Sequence, residues 1–254
     1  MCTVSIISTA SRVGSNRAVR LVCNRDELRA RAEALPPRVR AFGGRLAVMP
    51  IDPQGGGTWI AVSDAGIAMV LLNQTTSAHL TSDSASMQSR GQIIPSLLDR
   101  DSFDEALERA GTIDPRRFQP FLLVILGTRC CAEFVSHGRS LRTRRYEIGD
   151  VPLMFTSSGL GDHLVQQPRR ELFEQLFGRT RGTPARQDAF HAHRWPQCPH
   201  LSIDMSRHDA RTVSRTTIEF STAHARVTYA PLEPGVSRAV SRLELDTHQA
   251  PQLA

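Results

Sequence analysis

Short apolar runs rich in β-branched residues stand at both ends of the chain, and the stretches with helical spacing are gathered between them. Thr3–Ser8 and Ala18–Cys23 are two such runs, separated by a Ser/Gly/Asn turn signal. Arg45–Met49, Thr58–Ser63 and Ile67–Leu72 follow, punctuated by Gly55–Gly57 and by Asp64–Gly66. Phe118–Leu126, Cys131–Ser136 and Leu141–Ile148 read as a meander, Leu153–Thr156 as a further strand, and Thr212–Phe220 with Ala225–Tyr229 as a closing hairpin. Between them, Ile93–Leu98, Phe103–Ala110 and Arg169–Phe177 carry helical signals. Ser102 and Glu105 have capping-box spacing, and Leu172, Phe173, Leu176 and Phe177 form one stripe. Thr75–Arg90 has no periodicity and reads as a surface loop, either a linker or a flap over a pocket. The polar tail after Pro231 is expected to be a strand end or disordered. This order predicts an α+β sandwich with two sheets between helical layers. Strand and helix do not alternate regularly, no G-x-G-x-x-G follows a strand, and no Walker loop is present, which disfavours a doubly wound nucleotide fold.

The chain has 254 residues and a net charge of +6, and its cationic side chains are all Arg. They are scattered from Arg12 to Arg242. The denser run Arg139, Arg142, Arg144, Arg145 lacks the interleaved aromatics of a nucleic-acid platform, so no nucleic-acid partner is expected. No apolar stretch reaches the ~20 residues of a membrane span. Five cysteines, an odd number at irregular spacing, argue against a disulfide framework and for a reducing compartment. With no signal-peptide pattern at the start, a cytoplasmic location is expected. Nothing in the pattern speaks to the oligomeric state.

The chemistry-bearing residues begin with Cys2. Trimming of Met1 leaves an α-amine (pKa ~7.7–8.0) beside a thiol (~8.5), so the amine can act as general base for its own side chain. The second apolar run leads directly into Asn24-Arg25-Asp26-Glu27. An Arg there can lower a thiol's pKa, and a carboxylate can orient the amine or the Arg; a charged turn is the alternative. Gly55–Gly57 allows close backbone approach, and Trp59 can wall a pocket or simply fill the core. Asn73, at the end of an apolar run, can donate to a developing oxyanion or cap the strand end. His191, His193, Cys198 and His200 are soft or borderline ligands, but their spacing matches no zinc pattern, so a polar loop and no metal are expected. Cys130 and Cys131, as strand neighbours, point to opposite faces.

Met-Cys at the start, Asn24–Glu27, Gly56-Gly57-Thr58-Trp59-Ile60 and Gly66…Asn73 together resemble, in order and spacing, the transport and Golgi organisation family, also called NRDE proteins. Asp209–Ser214 and the closing hairpin fit the expected ending. The resemblance implies a four-layer αββα sandwich of the N-terminal-nucleophile (Ntn) hydrolase type in one domain spanning residues 1–254. The motif order is also similar to that of cysteine Ntn amidases such as bile salt hydrolases and penicillin V acylases. Carried over, it implies catalytic roles for Cys2, Arg25, Asp26 and Asn73. Asn24, Glu27, Trp59, Ser157, Ser158, Arg211 and Arg215 become candidate substrate-binding residues. The chain departs from the amidases in mid-chain, where Ser157-Ser158 stand in place of a second active-site Asn, and the late catalytic Arg is represented by Arg211 or Arg215. The expected function is a cysteine amidohydrolase or thioesterase acting on a small linear amide or acyl substrate, with no required cofactor. The alternative is a non-catalytic protein handling haem or an acyl lipid or acyl-CoA, since eukaryotic members are associated with haem trafficking and lipid metabolism.

Overall fold

A computed structural model of the chain describes residues 2–10, 17–74, 87–158, 162–233 and 235–247. Strand β1 (Cys2–Ala10) pairs antiparallel with β2 (Arg17–Leu28), from Cys2 opposite Arg25 to Ala10 opposite Arg17. Next come β3 (Leu35–Phe42), β4 (Arg45–Ile51), β5 (Ile60–Ser63) and β6 (Ala68–Asn73), then helix α1 (Phe103–Gly111). The meander follows as β7 (Phe121–Leu126), β8 (Cys130–Ser136) and β9 (Leu141–Glu147). After β10 (Leu153–Thr156), helices α2 (Asp162–Phe177) and α3 (Pro184–His191) precede β11 (Ala210–Phe220), β12 (His224–Pro231) and β13 (Ser241–Asp246). One sheet has the order β10-β1-β2-β11-β12-β13 and the other β3-β4-β5-β6-β7-β8-β9.

Each sheet has two covered faces, and each covering has a sequence cause. Between the sheets lie Val4, Ile6, Val19 and Leu21 from one and Val48, Ile60, Val70, Leu72 and Val124 from the other. The far face of the second sheet (Met69, Leu71, Leu123, Ile125) packs under Ala106, Leu107 and Ala110 of α1. The far face of the first sheet meets Leu172, Phe173 and Phe177 of α2 and Phe190 of α3 through Ile7. This is the αββα sandwich. Strands β6 and β7 lie between two apolar layers, which is why they read as continuous apolar runs rather than alternating ones. No helix among the described residues is long and apolar enough to cross a membrane.

Several elements depart from the sequence reading. The helical signal at Ile93–Leu98 becomes two 3-10 turns, Arg90–Gln92 and Pro95–Leu97, because Pro95 cannot donate to a continuing helix. Helix α2 begins at Asp162, earlier than the expected Arg169, and runs through Pro168. The Phe173 ring, with its centroid 4.6 Å from that of Phe177 and 5.2 Å from that of Phe190, secures the helix despite the lost bond. Strand β3 and helix α3 carried no signal strong enough to be predicted. Within the polar tail after Pro231, expected to be a strand end or disordered, Ser241–Asp246 form β13, whose buried Leu245 and partly buried Leu243 alternate with Arg242, Glu244 and Asp246. Most of the Thr75–Arg90 stretch lies outside the described residues. At α1 the capping prediction is met: Ser102 Oγ accepts from the Glu105 N–H at 3.2 Å, and the Glu105 carboxylate accepts from the Asp101 N–H at 3.1 Å.

Phe190 is fully buried where α2 and α3 meet. Phe190→Ala is expected to destabilise the fold by about 3–5 kcal/mol, read as a lower urea midpoint. Leu164→Ala, at a half-exposed position of α2, is expected to stay within about 0.5 kcal/mol.

Candidate functional site

The tetrad Asn24–Glu27 lies inside β2 rather than in a turn, so its side chains alternate between the two faces of the sheet. Arg25 and Glu27 point towards the other sheet, with Cys2 and Cys23; Asn24 and Asp26 point towards the helices. The Cys2–Arg25 register sets the start of β1 against the polar end of β2. There a cavity of about 380 Å³ opens, lined by Cys2, Arg25, Glu27, Trp59 and Asn73, and by Arg31, Asp52 and Arg90. Trp59 walls it as expected, with the Arg25 guanidinium 4.3 Å from its ring centroid, a cation–π distance. Asn73 reaches it from the end of β6.

Arg25 also donates to Glu27 at 3.1 Å and to Asp52 at 3.4 Å, and Arg31 donates to Asp52 at 2.5 Å. Burial works to raise the Asp52 carboxyl, but the Arg31 hydrogen bond and the charges of Arg31 and Arg25 overcome it and hold the group below its ordinary value. The Cys2 thiol is also shifted down. Its largest cause is a hydrogen bond from the Cys23 thiol, diagonal to it across the strand pair; burial opposes this, and the Arg25 charge assists. Cys23, as donor, is pushed well up by the same bond and by its own burial. Of the two sulfurs, that of Cys2 is the one in the cavity lining.

Asp26 is buried on the opposite face, accepting from Thr212 Oγ1 at 2.7 Å, with Arg169 at 3.9 Å. Burial raises its carboxyl, and Arg169 and Thr212 only partly offset that. Cys2 lies opposite Arg25 in the register, so Asp26 is one residue removed from Cys2 along the neighbouring strand. Arg169 Nη1 donates to Thr3 and Thr156 at 2.7 and 2.9 Å, and its Nε and Nη2 donate to the carbonyls of Leu201 and Ser202 at 3.0 and 2.8 Å.

Asn24 does not reach the cavity. Its amide donates to the carbonyls of His191 and Ile203, both at 2.9 Å, and its Oδ1 accepts from Arg215 at 3.1 Å. His191 Nδ1 lies 3.1 Å from the same oxygen and Nε2 lies 2.7 Å from Ser5 Oγ. Burial, together with the charges of Arg215 and Arg20, holds His191 well below its usual value, hence neutral. Ser5, His191 and Asn24 resemble a catalytic relay in connectivity, but all three are completely buried and serve to bind α3 to the sheet. Arg215, engaged with Asn24 and the His191 carbonyl, is likewise absent from the cavity lining. Arg211 lines a neighbouring cavity of about 180 Å³ that shares Arg25, Glu27 and Arg31 with the first. Ser157 and Ser158 are buried beside Cys2, outside the lining; the Ser157 N–H donates to the Cys2 carbonyl at 3.0 Å. His193 stacks edge-on against Trp195, and the described residues hold no cluster of three metal-ligating side chains.

Sequence reading missed Arg31, Asp52, Arg90 and Arg169. Asp52, just after an apolar run and before the glycines, carried a strand-end signal of the kind noticed at Asn73. The three arginines had none, in a chain whose arginines are dispersed throughout.

Residues 1–186 match the family model for Transport and Golgi organisation 2. No curated protein sequence matches. Among solved structures, the chain is similar to a Caenorhabditis elegans ortholog of N-acylethanolamine-hydrolyzing acid amidase (TM-score 0.55, 12% identity, covering 85% of this chain and 92% of that one). It is also similar to a variant of conjugated bile acid hydrolase from Clostridium perfringens (TM-score 0.53, 9% identity, covering 98% and 100%). A cysteine-to-alanine variant of the same hydrolase gives a TM-score of 0.51 at 9% identity, covering 95% and 92%. At these identities the likeness shows the Ntn-hydrolase fold.

Two measurements test the electrostatics. Iodoacetamide should alkylate Cys2 with a pH midpoint below that of an ordinary thiol, and Cys23→Ala should move the midpoint up. Cys131, pushed up to about 12 by burial, should stay unlabelled. For Asp26, whose folded value is raised, the carboxyl contributes stability fully present below its unfolded value of ~3.9 and lost as pH rises through the folded value. Across that window the wild type should lose stability relative to Asp26→Asn, as read from urea midpoints.

Proposed function

The chain belongs to the Transport and Golgi organisation 2 family, and we propose that it acts as a cysteine amidohydrolase or thioesterase of the Ntn type on a linear amide or acyl substrate. The observation that carries this reading is the placement of Cys2, with its lowered thiol, in the wall of a cavity that also presents Arg25 and Asn73. Loss of Met1 frees the Cys2 amine, which takes the thiol proton as the sulfur attacks the substrate carbonyl carbon. Arg25 favours the thiolate, and Asp26, on the far side of β2, orients the amine. Asn73 donates to the oxyanion, a contribution typically worth about 2.7–4 kcal/mol in acyl transfer. Collapse breaks the C–N or C–S bond, and the protonated amine returns its proton to the leaving group. Water then hydrolyses the thioester to free Cys2. A cytoplasmic location belongs to the same proposal, supported by five cysteines that are all free thiols.

A second reading, non-catalytic handling of haem, an acyl lipid or acyl-CoA, is favoured by one observation. Asn73 is the sole side-chain amide among the described residues lining the cavity.

Intact mass separates the two. After confirmed loss of Met1, incubation with activated amides and thioesters should add one acyl group, and Cys2→Ala should add none. A folded protein with a free Cys2 amine and no adduct overturns the catalytic reading. Haem or acyl-CoA binding that survives in Cys2→Ala then supports the carrier.

A further inference from the structure

Three guanidinium groups line the main cavity, and two carboxylates face them. Glu27 and Asp52 are taken up by Arg25 and Arg31. Arg90 makes no ion pair among the described residues; its hydrogen bond goes from Nη1 to the Pro120 carbonyl at 2.9 Å. A guanidinium has five N–H donors, so most of those on Arg90 are unspent. The group is partly buried, and that burial works against its charge.

This arginine is also held in place. Its 3-10 turn is capped by Ser89, whose Oγ accepts from the Gly91 N–H at 3.3 Å. The Thr58 N–H donates to the Gly91 carbonyl at 3.0 Å. At Gly57 a Cβ would stand 2.1 Å from that carbonyl oxygen, so only glycine permits the approach. The glycine run before Trp59 thus seats the Arg90 turn on the cavity rim. The Pro120 carbonyl that receives Arg90 also receives the Gln74 N–H at 3.1 Å, which puts the guanidinium beside the end of β6 that presents Asn73.

We propose that Arg90 binds an anionic group of the ligand, a carboxylate or a phosphate, so that the cavity selects substrates carrying a negative charge. The inference rests on the Cys2 cavity being the substrate site. A planar fork with spare donors suits either oxyanion in bidentate fashion, and a desolvated cation interacts with it more strongly than a surface one. Glu27 and Asp52 would not repel such a ligand as free carboxylates would, because Arg25 and Arg31 neutralise them.

The test is calorimetric titration of the whole chain with glutarate and, separately, with inorganic phosphate, each in wild type, Arg90→Gln and Arg90→Lys. At least one anion should bind the wild type about tenfold or more tightly than Arg90→Gln, with partial recovery in Arg90→Lys. The same anion should slow alkylation of Cys2 by iodoacetamide, which places it in this cavity. The stronger of the two distinguishes a carboxylate from a phosphate ligand. Equal affinity in wild type and folded Arg90→Gln, absence of binding by both anions, or binding that leaves Cys2 alkylation unchanged overturns the proposal. Acylation of Cys2, read by mass, does not enter this comparison, so failure of the nucleophile reading and failure of the anion site are separately visible.

Discussion

A β-strand sends successive side chains to opposite faces, and in β2 that alternation divides one polar motif between two compartments. Arg25 and Glu27 enter the inter-sheet cavity, while Asn24 and Asp26 enter the layer beneath the helices. The division works because β1 is registered with Cys2 opposite Arg25. A slip of one residue would turn the thiol away from the cavity. Asn24 on the helical face ties β2 to α3 and to the segment before β11, so the motif that lines the site also holds its supporting layer.

The second compartment is costly and is satisfied accordingly. Arg169 and Asp26 are both buried, and an unpaired ion there would be worth several kcal/mol against folding. Arg169 instead spreads its donors over β1, β10 and the 201–202 segment, converting a charge into a joint between the sheet edge and α2. Its charge also moderates the raised Asp26 carboxyl, whose ionisation the Cys2 amine would favour further. The cavity side is different in kind. There Arg31, Glu27 and Asp52 sit at the rim, partly open to solvent, and balance one another and the buried Arg25 beside a Trp59 wall.

Much of the architecture was legible. Eleven strand runs, the α1 cap and the phenylalanine stripe of α2 appear where their periodicity puts them, because the pattern of burial repeats at the period of the element. The misses have physical causes. β3 has few buried side chains to create a pattern, and α3 gains its order from Asn24, Ser5 and the phenylalanine cluster rather than from its own amphipathicity. The charged residues of β13 suggested a tail, yet on an edge strand charges are the ordinary outward face.

Cys2, the Asn24–Glu27 motif, the glycine turn and Asn73 were visible in the linear chain, and their order was enough to indicate the fold. Their residue types carry the chemistry, and no partner is needed to name a thiol, an amide or a guanidinium. Which of them share a cavity was decided by tertiary structure. It placed Asn24 and Arg215 in the helical layer, moved Arg211 to an adjoining cavity, kept Ser157 and Ser158 out of the lining, and brought Arg31, Asp52 and Arg90 to the rim. Strand register and sheet packing set those neighbours through contacts between residues far apart in the chain, and no local spacing encodes them.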